Sequence, residues 1–200
     1  MKFILASASP RRREILSHLG LDFSVLCADA DESSEEKDGA TLVEILSLRK
    51  AHAVRDRMIA EGRDVCDVVI LASDTVVVSP DGEILGKPRD RQDAIRMLRS
   101  LSGRAHAVIS GLAVWTKDKE TTSHEVTQVT FMPLEDSIIE RYVDSGEPMD
   151  KAGAYGIQDT ASLWIEGIRG DYFNVVGLPV HRLECVLTKE FGLSLWKRGE

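Results

Sequence analysis

The stretch VVILASDTVVV, residues 68–78, decides the fold. Its first five residues, Val68 to Ala72, are apolar and three of the five are β-branched, so the run reads as a strand covered on both faces rather than one. Strands of that kind occur in sheets with helices packed on them. Asp74 interrupts the run near its middle, with valines directly after it. A carboxylate at the end of a buried segment needs a partner, because an unpaired buried charge is expensive. A metal, a basic side chain or a proton would each serve, as would a turn in which the aspartate bonds its own backbone.

Working outward, apolar β-type runs alternate with helical patterns. Strands are expected at Lys2–Ala6, Phe23–Cys27, around Ile84, at Ala105–Trp115 and Ser123–Phe131, near Ser162–Ile168 and at Phe173–Val176. Helices are expected at Pro10–Leu19 with Ser9 as cap, Thr41–Gly62, Arg91–Leu101, Glu135–Ser145 and Pro179–Phe191. The acidic segment Asp29–Asp38 reads as a loop. No repeat, low-complexity tract or linker marks a boundary, so one domain over residues 1–200 is expected: a mixed α/β fold with a twisted central sheet, helices around it and a cleft.

Two hundred residues, 43% of them apolar, suffice for a core that buries roughly 70% of the unfolded chain's surface. The 25 basic and 33 acidic residues give a net charge of −8. That balance disfavours nucleic acid as a partner, since such binding depends on neutralising phosphates. Cys27, Cys66 and Cys185 form neither a zinc-ligand pair nor a disulfide framework, which points to a reducing, cytoplasmic setting. No run of apolar residues is long enough to span a bilayer, so no membrane partner is expected.

Charges in unfavourable places mark the candidate site. The first turn of the first expected helix holds Arg11, Arg12 and Arg13, where the helix dipole favours anions. Either the three are a solvated helix start, or they and the hydroxyls of Ser7 and Ser9 receive an anion. Lys50 lies four residues from both Leu46 and Val54, on an apolar stripe, where it either snorkels outward or reaches into a cleft. Lys87, in Gly86-Lys87-Pro88, says little alone. Glycine loops for phosphate, zinc signatures and a nucleophile elbow are absent from the sequence. The five histidines show no ligand spacing.

In order along the chain stand LASASPRRREIL (5–16), RKA (49–51), ASDTVV (72–77), GKPRD (86–90), LSGRAHAV (101–108), SGEPMDKAGAYGIQD (145–159) and GDYFNVVGLP (170–179). This series resembles the Maf family of nucleoside triphosphate pyrophosphatases, relatives in fold of the inosine triphosphate pyrophosphatases. The resemblance implies hydrolysis between the α- and β-phosphates with a divalent cation, Mg²⁺ or Mn²⁺, giving a monophosphate and pyrophosphate. It implies Asp74 as catalytic base and metal ligand, Glu32 as a second metal or substrate acid with Asp31 or Asp29 as alternates, and Ser7, Arg11, Arg12, Lys50 and Lys87 as polyphosphate contacts. Arg11, Thr75 and Gln158 match the dTTP/UTP subgroup, whose substrates a side-chain amide at Gln158 suits. The 7-methyl-GTP subgroup differs at the first arginine, carries DQ in place of DT, and diverges after AG. Asp159 stands where the family commonly has Gly. A homodimer is also implied. A second class of function is a non-enzymatic nucleotide-binding regulator of cell division, suggested by the family's name-giving link to septum formation.

Overall fold

The computed structural model describes residues 1–196. In chain order the strands are β1 (Lys2–Leu5), β2 (Phe23–Val25), β3 (Val68–Val78), β4 (Ile84–Leu85), β5 (Ala105–Trp115), β6 (Glu120–Phe131) and β7 (Ile165–Arg169). The helices are α1 (Pro10–His18), α2 (Gly39–Ala60), α3 (Arg91–Leu101), α4 (Asp136–Asp144), α5 (Tyr172–Val176) and α6 (Val180–Val186). The strands form one mixed sheet in the order β2-β1-β3-β5-β6-β7, with β4 paired to β3. β1 runs parallel to both neighbours, Phe3 opposite Phe23 and Val69, whereas β6 and β7 are antiparallel. Among the described residues no helix is long and apolar enough to cross a membrane.

The chain divides into two compact units built from interleaved segments. The first holds Met1–Asp74, Ser110–Glu125 and the chain from Gly177; the second holds Thr75–Ile109 and Val126–Val176. In the first unit, Val68 to Ser73 are all buried, as a strand covered on both faces requires. Helix α2 packs Ala51, Val54 and Met58 into one core with Val68, Ile70 and Ala72 of that strand, and buries Val43 and Leu46 as well. It begins at Gly39, two residues before the expected Thr41, because the Asp38 carboxylate caps it, accepting from the Thr41 N–H and hydroxyl at 2.8 Å each. Gly111 of β5 lies against α2: a Cβ there would stand 2.3 Å from the Val43 carbonyl oxygen. In the second unit, α3 starts where the Asp90 side chain accepts from the Asp93 N–H at 2.8 Å.

Several expectations shift. Ser9 precedes α1, but its side chain makes no capping bond; its N–H instead donates to Ser7 Oγ at 3.2 Å. Residues 160–164 form a 3₁₀ turn, so the strand expected from Ser162 starts at Ile165. The expected strand at Phe173–Val176 is helix α5. Asp171 Oδ1 accepts from the Phe173 N–H at 2.8 Å, and Asn174 is buried with its amide donating to the Val108 carbonyl and to Thr127 Oγ1. The last expected helix ends as α6 at Val186 and passes into a wider π turn over Leu187–Phe191.

Candidate active site

Two groups of expected residues gather in the first unit. At the first, Ser7 lies just past β1 and Arg12 lies in the first turn of α1, both buried. Arg12 donates from Nε to the Gly177 carbonyl at 2.8 Å, and from Nη1 to the Ser73 carbonyl at 2.7 Å and to Ser7 Oγ at 3.2 Å. Ser73 Oγ donates to the same Gly177 oxygen at 3.0 Å. Gly177 has φ +118°, a region side chains rarely adopt. Burial pulls the Arg12 guanidinium below its ordinary range; the Asp74 carboxylate opposes that, Arg11 adds to it and Glu32 opposes it. The arginine trio therefore splits: Arg12 is buried and stitched to main chain, Arg11 is half-buried, and Arg13 faces solvent.

At the second, Asp74 follows Ser73 on β3 and is paired with Lys50 of α2. The Lys50 ammonium also meets Glu32 Oε1 at 2.8 Å. Lys50 and Asp74 are largely sheltered, with side chains 18% and 15% exposed, while Glu32 is open at 64%. Of the partners left open by the sequence, Asp74 has the basic side chain, and Lys50 reaches inward instead of snorkelling. Of the three loop acids that the resemblance allows, Asp29, Asp31 and Glu32, it is Glu32 that Lys50 meets. Asp31 turns back on the chain, its Oδ1 accepting from the Ser33 N–H at 2.9 Å and hydroxyl at 2.6 Å, bonds that hold its carboxyl below the usual range.

Nothing in the sequence pattern marks a separate role for Arg49. Its Nη1 donates to the Asp31 carbonyl at 3.1 Å and the Ser33 carbonyl at 2.6 Å, pinning the main chain on both sides of Glu32. Nor does the pattern mark the Ser73 and Gly177 carbonyls, whose role depends on contacts far apart in sequence. Thr75, Lys87 and Gln158 belong to the second unit. Thr75 is half-buried in β3; Lys87 is exposed just after β4, and Gln158 is exposed in the turn before the 3₁₀ segment at 160–164. The second unit also holds Lys151, a buried cation that no charge or apolar pattern in the sequence marks.

The donor set suits a hard divalent cation. Glu32 and Asp74 already share one cationic group, the Lys50 ammonium, and Mg²⁺ is commonly held by one or two carboxylates completed by substrate phosphates and water. Among the described residues no group of three or more His, Cys, Asp or Glu is placed to hold a metal on protein ligands alone.

A mixed sheet flanked by helices, with a carboxylate in the middle of β3 paired to a lysine and a buried arginine close by, defines an α/β protein with a sheltered cluster of opposite charges in its first unit. A family model described as "Maf-like protein" matches residues 2–190. The chain is 49% identical over 199 residues to a protein of Symbiobacterium thermophilum, covering 99% of this chain and 98% of that one. It is 47% identical to a protein of Acetivibrio thermocellus, covering 99% of each, and 47% identical to one of Thermosipho africanus, covering 100% of this chain and 94% of that one. Each of these relatives is named dTTP/UTP pyrophosphatase. The chain belongs to the Maf-like family.

Proposed function

We propose that this protein is a dTTP/UTP pyrophosphatase, hydrolysing the nucleoside triphosphate to a nucleoside monophosphate and pyrophosphate. The observation that carries the reading is the single ammonium of Lys50 shared by Glu32 and Asp74. A triphosphate tail, with several negative charges, competes for that ammonium. As Lys50 turns to the phosphates, a carboxylate oxygen of Asp74 is freed to accept a proton from the attacking water. The water oxygen bonds to the α-phosphorus, the bond from that phosphorus to the bridging oxygen breaks, and its electron pair leaves with pyrophosphate. Arg11 and Lys50 meet the negative charge that gathers on the phosphate oxygens, and the serine–arginine group at Ser7 and Arg12 shapes the floor beneath them. Glu32 and Asp74 would hold a divalent cation, which when bound supplies Lewis-acid stabilisation of phosphate charge. From the resemblance come Lys87 as a further phosphate contact, Thr75 as a substrate contact, and Gln158 as reader of the pyrimidine edge. A cytoplasmic setting and a homodimer are carried by the same resemblance, the latter to be read from sedimentation.

The test is pyrophosphate release from a panel of nucleotides with and without Mg²⁺ or Mn²⁺. UTP and dTTP should be preferred, and preferential turnover of 7-methyl-GTP would overturn the substrate assignment. Asp74→Asn should lower kcat about a thousandfold, inside the range for lost general-base catalysis, while UTP binding measured calorimetrically persists. Full hydrolysis by that variant would remove Asp74 from its role as base.

A further inference from the structure

Lys151 is 8% exposed, an unusual position for an ammonium, which is costly to take out of water. It is engaged on three sides. Its Nζ donates to the Glu147 carbonyl at 2.5 Å and to Asp150 Oδ1 at 2.8 Å, and lies 3.5 Å from Asp159 Oδ2. The Glu147 carboxylate in turn accepts from the Thr160 N–H at 3.1 Å and the Thr160 hydroxyl at 2.8 Å. Residues 147–151 are thereby tied to 159–160 at two adjacent points. Gly156 lies against the brace: a Cβ there would stand 2.5 Å from Asp159 Oδ2 and 2.8 Å from Lys151 Cε. Between the buried Ile157 and the braced Asp159 projects the exposed Gln158.

We propose that Lys151, acting through Asp159 and the Glu147–Thr160 contact, is a positioning residue that makes Gln158 selective for uracil and thymine over cytosine. The proposal rests on the reading of Gln158 as the residue that meets the base. The reason is chemical. Uracil and thymine present an acceptor at O4 and a donor at N3; cytosine presents the opposite pattern on the same edge. A glutamine amide carries both a donor and an acceptor, and rotation by half a turn exchanges them. A freely turning amide therefore accepts either edge equally, and only one held in place discriminates. Asp159 thus belongs to the support of the reader, on the lysine side of the turn.

The test is steady-state hydrolysis of UTP and CTP by Lys151→Met, Lys151→Arg, Gly156→Ala, Gln158→Ala and the double variant Lys151→Met/Gln158→Ala. Thermal unfolding checks that each is folded. Lys151→Met should raise KM for UTP about tenfold with kcat changed by less than about threefold, and should erode the preference for UTP over CTP by a similar factor. Lys151→Arg should restore most of both. On the Gln158→Ala background, Lys151→Met should add little, because the two act as one unit. Should Lys151→Met not fold, Gly156→Ala, whose added Cβ presses on the ends of the bracing side chains, should give the same loss of KM and preference. An unchanged UTP preference in Lys151→Met or, where that variant does not fold, in Gly156→Ala would overturn the proposal, as would an effect of full size in the double variant. If Gln158→Ala itself leaves the UTP preference intact, the base-reading role fails and the brace with it. If Gln158→Ala abolishes the preference and Lys151→Met leaves it alone, the brace alone fails.

Discussion

Arg12 binds main-chain carbonyls 61 and 165 residues away in sequence, at Ser73 and Gly177. A planar guanidinium can serve both while still reaching Ser7 Oγ; an ammonium cannot span them in the same way. Breaking a buried charged network by removing one member typically costs about 3–5 kcal/mol. Arg12→Met should therefore lower the midpoint of thermal unfolding by about 10 °C, with Arg12→Lys in between. Circular dichroism melts decide it, and a methionine variant as stable as the parent would show that these bonds carry no stability. The sequence marks the trio at 11–13 as cations at the wrong end of a helix, and it marks Asp74 and Lys50 by their apolar surroundings. Which arginine is stitched, and which partner Asp74 takes, depends on chain segments that meet only after folding. Pattern along one stretch cannot report that.

Helix α2 carries Lys50 on its course past β5, and its backbone comes close at Gly111. There an added methyl would meet the Val43 carbonyl oxygen at 2.3 Å, its carbonyl carbon at 2.4 Å and the Glu44 nitrogen at 2.9 Å. All three are backbone atoms, so a neighbouring rotamer change gives no relief and the helix itself must move. Gly111→Ala should cost about 1–3 kcal/mol and lower kcat/KM, because Lys50 moves with the helix away from Asp74. Thermal melts and UTP kinetics on the same sample check both; an alanine variant with unaltered melting and kinetics would refute the close approach. Long elements such as α2, β3 and β5 are legible from sequence because many residues repeat one period. Short ones are not. The four residues Phe173–Val176 fit a strand as well as a helix, and the choice is made by the Asp171 cap and by the buried Asn174 amide, which bonds the Val108 carbonyl and Thr127. Likewise the start of α2 follows from the Asp38 cap, a side chain just outside the apolar pattern.

For the whole molecule, stability against pH should fall in two steps as acid is added. His106 is 3% exposed, with Nε2 at 2.7 Å from the Tyr155 hydroxyl and its ring edge-on to Phe131, centroids 5.0 Å apart. Burial pulls its pKa from 6.5 to about 4, offset only in part by the Arg104 main chain. Between those values the unfolded chain takes up a proton at this residue and the folded chain does not, so falling pH favours unfolding. The stability at stake is roughly 3 kcal/mol, present in full above pH 6.5 and lost as pH drops towards 4. The second step lies lower. Carboxylates such as Asp81, Asp144 and Asp38 are held below their usual range by side-chain bonds to Arg104 and Arg91 and by the Thr41 main-chain and hydroxyl bonds. Their contributions are present above the unfolded carboxylate range and disappear as pH falls through the folded values. Melting temperature followed from pH 8 to pH 3 should stay level, then drop between 6.5 and 4, then drop again. His106→Phe keeps an aromatic ring in the core but cannot take a proton, so it should abolish the first step and keep the second. A first step of undiminished size in that variant would assign it to another group.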